Sequence, residues 1–147
     1  MKKALVTLMA GAALLASGSV LAQKAVVSSK NAPAAIGPYS QAIKAGDTVY
    51  ISGMLPLTPD GKMVNTSIAD ATRQSMNNIK AVLAANGMTM DNVVQTTLYV
   101  KDLKQFDEIN KAYGEYFKDG KAPARVTVEV AGLPKNAPIE VSAIAAK

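Results

Sequence analysis

Arg125 stands at the entrance of an alternating segment, Pro123-Ala124-Arg125-Val126-Thr127-Val128-Glu129-Val130. Val126, Val128 and Val130 alternate with Thr127 and Glu129, the period of a half-buried strand. Pro123 suits a strand entrance because it has no N–H to offer the ladder. A guanidinium on a stiff strand is well placed to hold a carboxylate, with five donors in a fixed fork and a permanent charge. The plain alternative is an Arg on a solvated sheet face, the ordinary fate of this side chain. The rest of the inventory narrows the chemistry. The 147-residue chain contains no Cys, His or Trp. It therefore has no thiol nucleophile, no Ser-His or Cys-His pair, no zinc site built on imidazole or thiolate, and no disulfide. Any catalysis falls to Arg, Lys, Asp, Glu, Tyr, hydroxyls, backbone groups or bound water.

These residues must be positioned by the elements around them. Ala25-Val26-Val27 reads as a short first strand, and Lys30 to Tyr39 as turn-rich, with Asn31, Pro33, Gly37 and Pro38. Pro38 pushes Gly37 out of the helical region, and a rigid turn there fixes the aim of Tyr39. Ser40 to Ala45 and Thr48 to Ser52 read as two further strands, with Gly53 following at once. Ser67 to Asn86 is the clearest helix: Ile68, Ala71, Ser75, Met76, Ile79, Val82 and Leu83 keep helical spacing. Ser67 with Asp70 resembles a capping box, and Asn86-Gly87 is a stop. Asn92 to Val100 reads as a strand with Val94, Thr96, Leu98 and Val100 on one face. A second helix runs from Asp102 to Asp119-Gly120, with Leu103, Phe106, Ile109, Tyr113 and Phe117 as its core stripe. The last strand is Ile139 to Ala145, where Ile139, Val141 and Ala143 alternate with Glu140, Ser142 and Ile144.

Two helices suffice to cover one face of one sheet, so the fold is expected to be α+β. The other face is expected to carry Arg125, Thr127, Glu129, Glu140, Gln95, Thr97 and Tyr99. With no further element to cover it, that face is either solvated or used in an oligomer.

The N-terminus reads as a secretory leader. Met1-Lys2-Lys3 is a positive start, Ala4 to Leu15 an apolar run, and Val20 and Ala22 small residues at −3 and −1 of a cleavage site. The apolar run is shorter than the roughly 20 residues of a spanning helix. The expected organisation is a signal peptide over 1–22, a single domain over 23–147, and a periplasmic location. The net charge of +5 falls to +3 when Lys2 and Lys3 leave.

The mature segment resembles the Rid (YjgF) family of small imine and enamine deaminases from about Lys30 to the C-terminus. The resemblance is carried by Asn31-Ala32-Pro33-Ala34-Ala35-Ile36-Gly37-Pro38-Tyr39-Ser40-Gln41, Ile51-Ser52-Gly53, Asn78 to Leu83 and Lys101-Asp102-Leu103. It continues through Phe106 to Asn110, Pro123-Ala124-Arg125, Val128 to Ala131, Leu133-Pro134-Lys135 and Ile139-Glu140. It implies a chorismate mutase-like fold, a homotrimer joined through the sheets, and clefts between subunits. The implied reaction is hydrolysis of 2-imino acids or their 2-enamine tautomers, such as 2-aminoacrylate, to 2-oxo acids and ammonia. No metal or cofactor is implied. Relatives also include nucleic-acid-acting proteins, but a mature charge of +3 with no basic run argues against a nucleic-acid partner, and no membrane partner is expected after the leader is removed.

By the same resemblance Arg125 grips the substrate carboxylate, Tyr39 lines the cleft and Gly53 lets its backbone N–H approach the ligand. Asn110 supports the pocket, Glu140 orients or deprotonates water, and a backbone carbonyl near Thr127 assists. Each has a structural alternative: Tyr39 packing over the sheet, Gly53 serving a bulge, Asn110 bonding local backbone, Glu140 ion-paired at the surface. Glu129 reads as the partner of a neighbouring Lys. Many relatives have Gln where this chain has Met54, which makes the expected cleft mouth more apolar, and Cys where it has Thr127. The competing functional reading is a small-carboxylate-binding or chaperone-like trimer without turnover.

Overall fold

The computed structural model of the protein describes residues 23–147. The leader expected over 1–22 lies outside the described residues. Six strands, β1 (Lys24–Val27), β2 (Ala42–Ala45), β3 (Thr48–Met54), β4 (Val93–Val100), β5 (Ala124–Glu129) and β6 (Ile139–Ala146), form one sheet in the order β1-β2-β3-β6-β4-β5. Its pairings are antiparallel except for β4 with β5, which run parallel. A parallel pair needs a crossover, and α2 (Phe106–Gly114) lies in it. The longer α1 (Ile68–Ala85) packs on β3, β6 and α2. The expected single mixed sheet with two helices is the fold observed.

α1 begins where the Ser67 hydroxyl accepts the Asp70 N–H at 3.0 Å. The reciprocal half of the capping box is replaced: Asp70 takes Arg73 at 3.2 Å, and Arg73 reaches Glu115 beyond α2 at 2.8 Å. Gly87 ends the helix with φ +65°, a conformation that favours glycine. Ile68, Ala71, Met76, Ile79, Val82 and Leu83 meet Val49, Ile51, Leu98, Val100, Ile139, Val141, Ala143 and Ala145 in one buried core.

Four expectations change. First, α2 is shorter than its apolar stripe. A 3₁₀ turn, Leu103–Gln105, precedes it, with Asp102 accepting the Lys104 N–H at 2.9 Å, and the helix closes at Gly114. Leu103 and Phe106 are partly exposed instead of core. Second, Val94 is the extra residue of a bulge in β4, so Val93 faces the core and Val94 faces out. Third, an irregularity at Gly53 turns Met54 inward into the core, where it lines a small pocket with Tyr39, Gly53 and Leu55 instead of standing exposed at a mouth.

The fourth change concerns β5. Register sets Arg125 beside Thr96, Thr127 beside Leu98 and Glu129 beside Val100, all residues of the helix-covered face. Val126 and Val128 lie beside Thr97 and Tyr99 on the open face, 48% and 37% exposed. The polar side of β5 is thus turned towards α2 and the apolar side outwards, the reverse of the expected arrangement. The edge position explains it: β5 lies beyond α1, so its inward side chains meet only the flank of α2. Glu129 finds a partner there that is not a lysine, accepting the Leu103 N–H at 2.8 Å.

Two buried amides tie the irregular segments to this frame. Asn78 of α1 donates to the carbonyls of Leu55 (3.0 Å) and Leu57 (2.8 Å), while its oxygen accepts from Gln74 at 3.0 Å. Gln41 donates to Pro33 O (2.7 Å) and Ser29 O (3.2 Å) and accepts the Ser29 N–H at 2.6 Å. Removing Asn78 strips the Leu55 carbonyl of its buried donor and leaves the Leu57 carbonyl with Gln74 alone. Asn78→Ala is expected to lower stability by about 2 kcal/mol, read as a shift of the urea midpoint at unchanged slope; an unshifted midpoint would refute this role.

Candidate active site

Tyr39, Gly53 and Glu140 come together on the open face of the sheet. They line a cleft of about 290 Å³ with Ile36, Ser52, Leu55 and Pro134. Glu140 projects outwards from β6 because Ile139 and Val141 on either side are buried. Its carboxyl lies against the backbone of β3. A Cβ placed on Gly53 would stand 2.7 Å from the Glu140 carboxyl carbon, closer than real contacts allow, so only glycine admits this packing. Among the described residues no hydrogen bond or ion pair engages the carboxylate. Partial burial pushes its titration above the usual glutamate range.

Tyr39 is held by its own turn. Its N–H donates to Gly37 O at 2.8 Å, and its hydroxyl accepts the Ile36 N–H at 3.2 Å. The ring folds over Gly37, where a Cβ would lie 3.3 Å from the ring edge. The next wall is fixed by Ser52, whose hydroxyl donates to Ser40 O at 2.6 Å. Gln41 and Asn78 anchor the two loops that carry Ile36 and Leu55. Asn78 falls on the inward stripe of α1, three residues after Ser75 and four before Val82, a spacing that could have marked it; nothing in the local sequence marks Gln41.

Arg125, Thr127 and Asn110 form a second group on the opposite side of the sheet, against α2. The Arg125 guanidinium lies over the Tyr113 ring at 4.9 Å from its centroid and over Phe106 at 5.5 Å. Among the described residues it makes no ion pair. Phe106, Asn110 and Tyr113 share a helix face by their spacing. The Asn110 side-chain oxygen and the Thr127 hydroxyl are both buried without a hydrogen-bond partner. Two orphaned polar atoms beside an unpaired guanidinium mark a place where polar contacts are unfinished.

The six candidates are therefore split between two half-sites. Glu140 pairs across to Tyr99, and Tyr99 to Val128, three residues along from Arg125. At about 4.8 Å between strands and 3.3 Å per residue, the two backbone positions lie about 14 Å apart. Their side chains leave from opposite faces.

The raised titration of Glu140 has a definite sign in stability. The fold favours its protonated form, so the associated stability is complete below the ordinary glutamate range and is lost as pH rises through the raised value. Glu140→Gln is expected to melt with the wild type at acid pH and above it at neutral pH. Thermal melts across that range measure the difference; a variant that melts lower at neutral pH would contradict the assignment.

Comparison with known proteins agrees with this architecture. The family model described as Endoribonuclease L-PSP matches residues 29–147. A RutC family protein of Pyrococcus horikoshii is 50% identical over 125 residues, covering 84% of this chain and 98% of its own. The 2-iminobutanoate/2-iminopropanoate deaminase of Escherichia coli is 42% identical over 123 residues, covering 82% and 96%. The crystal structure of E. coli TdcF with bound serine superposes with a TM-score of 0.79 at 35% identity, covering 84% of this chain and 98% of that one. With a family model spanning most of its length and relatives at this identity, the chain belongs to the Rid (YjgF, L-PSP) family.

Proposed function

We propose that this protein is a cofactor-independent deaminase that hydrolyses reactive 2-imino acids and 2-enamine acids, such as 2-iminopropanoate and 2-aminoacrylate, to 2-oxo acids and ammonia. The observation that carries this reading is the pair of unfinished half-sites. Among the described residues, one presents a guanidinium without a counter-ion and the other a half-buried carboxylate without a donor. Arg125 takes the substrate carboxylate through two parallel N–H bonds. Glu140 takes a proton from water as the oxygen attacks the iminium carbon, whose C=N electron pair moves to nitrogen. Glu140 returns that proton to the amine of the resulting carbinolamine; the C–N bond then breaks as the hydroxyl oxygen forms the C=O bond, the hydroxyl proton leaves with the ammonia as ammonium, and the 2-oxo acid and the Glu140 carboxylate remain. A carboxyl titrating above its usual range is better matched to such two-way transfer than an ordinary one. Tyr39 closes the cleft wall, the Gly53 backbone admits the ligand, and Asn110 and Thr127 complete the surroundings of the clamp.

In a 2-imino acid the carboxylate carbon and the reacting carbon are bonded neighbours. Groups about 14 Å apart on opposite faces of one sheet cannot both serve it. The reading therefore places each site between two copies, in a homotrimer joined through the open faces, with the β5 edge that carries Arg125 in one copy abutting the Glu140 cleft on the open face of the next. Exposed Tyr50, Val94, Val126 and Val128 on that face support such burial. The serine bound in the TdcF structure and the deaminase name of the E. coli relative support a small amino-acid-like substrate. Cleavage of ribonucleic acid, which the family description names, is less well supported. Residues 23–147 carry a net charge of only +3 and no basic run.

The assay generates imines with an amino-acid oxidase and traps the survivors with semicarbazide. Wild type is expected to suppress trapping. Arg125→Ala is expected to lose about 30-fold or more in kcat/KM, the value of one charge-assisted contact of about 2 kcal/mol. Retained binding of 2-oxo acids without any effect on trapping would favour the non-catalytic carboxylate-binding or chaperone-like alternative. Mixing Arg125→Ala with Glu140→Ala subunits and allowing exchange is expected to restore about one quarter of wild-type activity, because random cyclic assembly re-forms that share of intact sites. A site contained in one chain would restore none.

The location belongs to the same proposal: a leader over 1–22 that directs the domain over 23–147 to the periplasm. N-terminal sequencing of the periplasmic protein is expected to begin at Gln23; protein beginning at Met1 would overturn it.

A further inference from the structure

A clamp works only if its donors are both free and aimed, and the surroundings of Arg125 bear on each. A carboxylate partner would aim the guanidinium but occupy its donors. No such partner engages it among the described residues; aromatic faces do. Tyr113 lies beneath it with the ring centroid 4.9 Å from the guanidinium carbon, inside the roughly 6 Å reach of a cation–π contact. A ring face accepts no conventional hydrogen bond, so the contact does not occupy the guanidinium N–H donors.

The Tyr113 ring is itself held. It is only 4% exposed, and its hydroxyl shares a buried 2.7 Å hydrogen bond with Thr96. Thr96 stands directly beside Arg125 in the β4–β5 ladder. Strand β4 therefore sets the ring, and the ring sets the side chain on the next strand. Tyr113 also stacks on Phe117 at 4.9 Å between centroids, tilted by 47°. Phe106 adds a second face at 5.5 Å from Arg125 but is more exposed. Tyr113 is thus the more rigid of the two supports.

We propose that Tyr113, locked by Thr96, is the positioning residue of Arg125: it holds the guanidinium over its ring without consuming its N–H donors, which are left for a substrate carboxylate. This rests on the reading of Arg125 as the carboxylate clamp. Tyr113 touches no substrate; it acts through Arg125.

The test measures the affinity of pyruvate and 2-oxobutanoate, as product carboxylates, beside steady-state turnover, in wild type, Tyr113→Leu, Tyr113→Phe, Arg125→Ala and the double variant Tyr113→Leu/Arg125→Ala. Tyr113→Leu is expected to weaken product binding and raise KM by about tenfold, with a smaller change in kcat. Tyr113→Phe keeps the ring and is expected to stay within about threefold of wild type. In the Arg125→Ala background, Tyr113→Leu is expected to change affinity no further. The Arg125 Nε–H resonance, shifted by the ring current in wild type and Tyr113→Phe, is expected to move towards its ordinary position in Tyr113→Leu.

Should Tyr113→Leu fail to fold, Tyr113→Met decides instead: it keeps most of the buried volume, removes the ring, and is expected to return the Arg125 resonance towards its ordinary position while retaining the melting cooperativity. An unmoved resonance there overturns the proposal. So does undiminished product affinity in folded Tyr113→Leu, or an equal loss with and without Arg125. Arg125→Ala separates the two levels: if it keeps product affinity, the clamp reading itself falls; if it loses affinity while Tyr113→Leu does not, only the positioning inference falls.

Discussion

The parallel pairing of β5 with β4 decides which side of the sheet each β5 side chain takes, and the character of the site depends on it. Thr96, Leu98 and Val100 face the core, so Arg125, Thr127 and Glu129 beside them face the same way. Had β5 been displaced by one residue, Val126 and Val128 would have met α2 and Arg125 would have pointed into the open face. The observed register is held at both sides of the crossover. Glu129 caps the Leu103 N–H, Lys101 reaches the Ala131 carbonyl, and the Val130 N–H donates to Val100 O at 2.9 Å. The polar groups of β5 are thus spent on fixing the start of α2 as well as on presenting a cation.

The opposite half-site depends on a close approach. Gly53 removes the Cβ that would exclude the Glu140 carboxyl from β3. A carboxylate placed there loses hydration on one side and gains no donor in exchange, which is why its titration rises. Such a site is destabilising by itself, and the surrounding loops are correspondingly well tied. Gln41 closes the segment leading to Tyr39, and Asn78 closes the segment leading away from Gly53, each through several bonds to backbone carbonyls. Their contribution is to keep irregular backbone from exposing unsatisfied groups beside the cleft.

The helix α1 was legible residue by residue because a long amphipathic pattern with a Ser cap and an Asn-Gly stop has only one good solution. The strands were legible as segments. What alternation could not supply was the absolute face. Period two says that Val126 and Val128 are opposite Arg125 and Thr127; it does not say which set meets the helices. The valines were assigned inwards because apolar residues usually are, a rule that fails on an edge strand whose inward side is flanked by α2 alone. The bulge at Val94 and the irregularity at Gly53 each add a residue and break the alternation across it, which accounts for Val93 before the one and Met54 after the other. Tyr113 was read as core, and it is core; its second role beneath a cation depends on the parallel neighbour strand, a contact between residues far apart in sequence.

The placement of Arg125 and Glu140 on opposite faces also resolves a difficulty in the chemistry. A guanidinium and a carboxylate about 4 Å apart attract by about 4 kcal/mol at an effective dielectric constant near 20. In one chain such a pair would close on itself, hold the carboxyl ionised at low pH and leave neither group for a substrate. With the sheet between them, each is supported by something that does not use up its reactive valence: ring faces for the cation, backbone beside a glycine for the anion. In the proposed assembly they converge only where two copies meet, and the substrate carboxylate is then the counter-ion the guanidinium has lacked. Glu140 is left with the water. The separation that prevents one chain from completing a site is, on this argument, what keeps both halves ready to react.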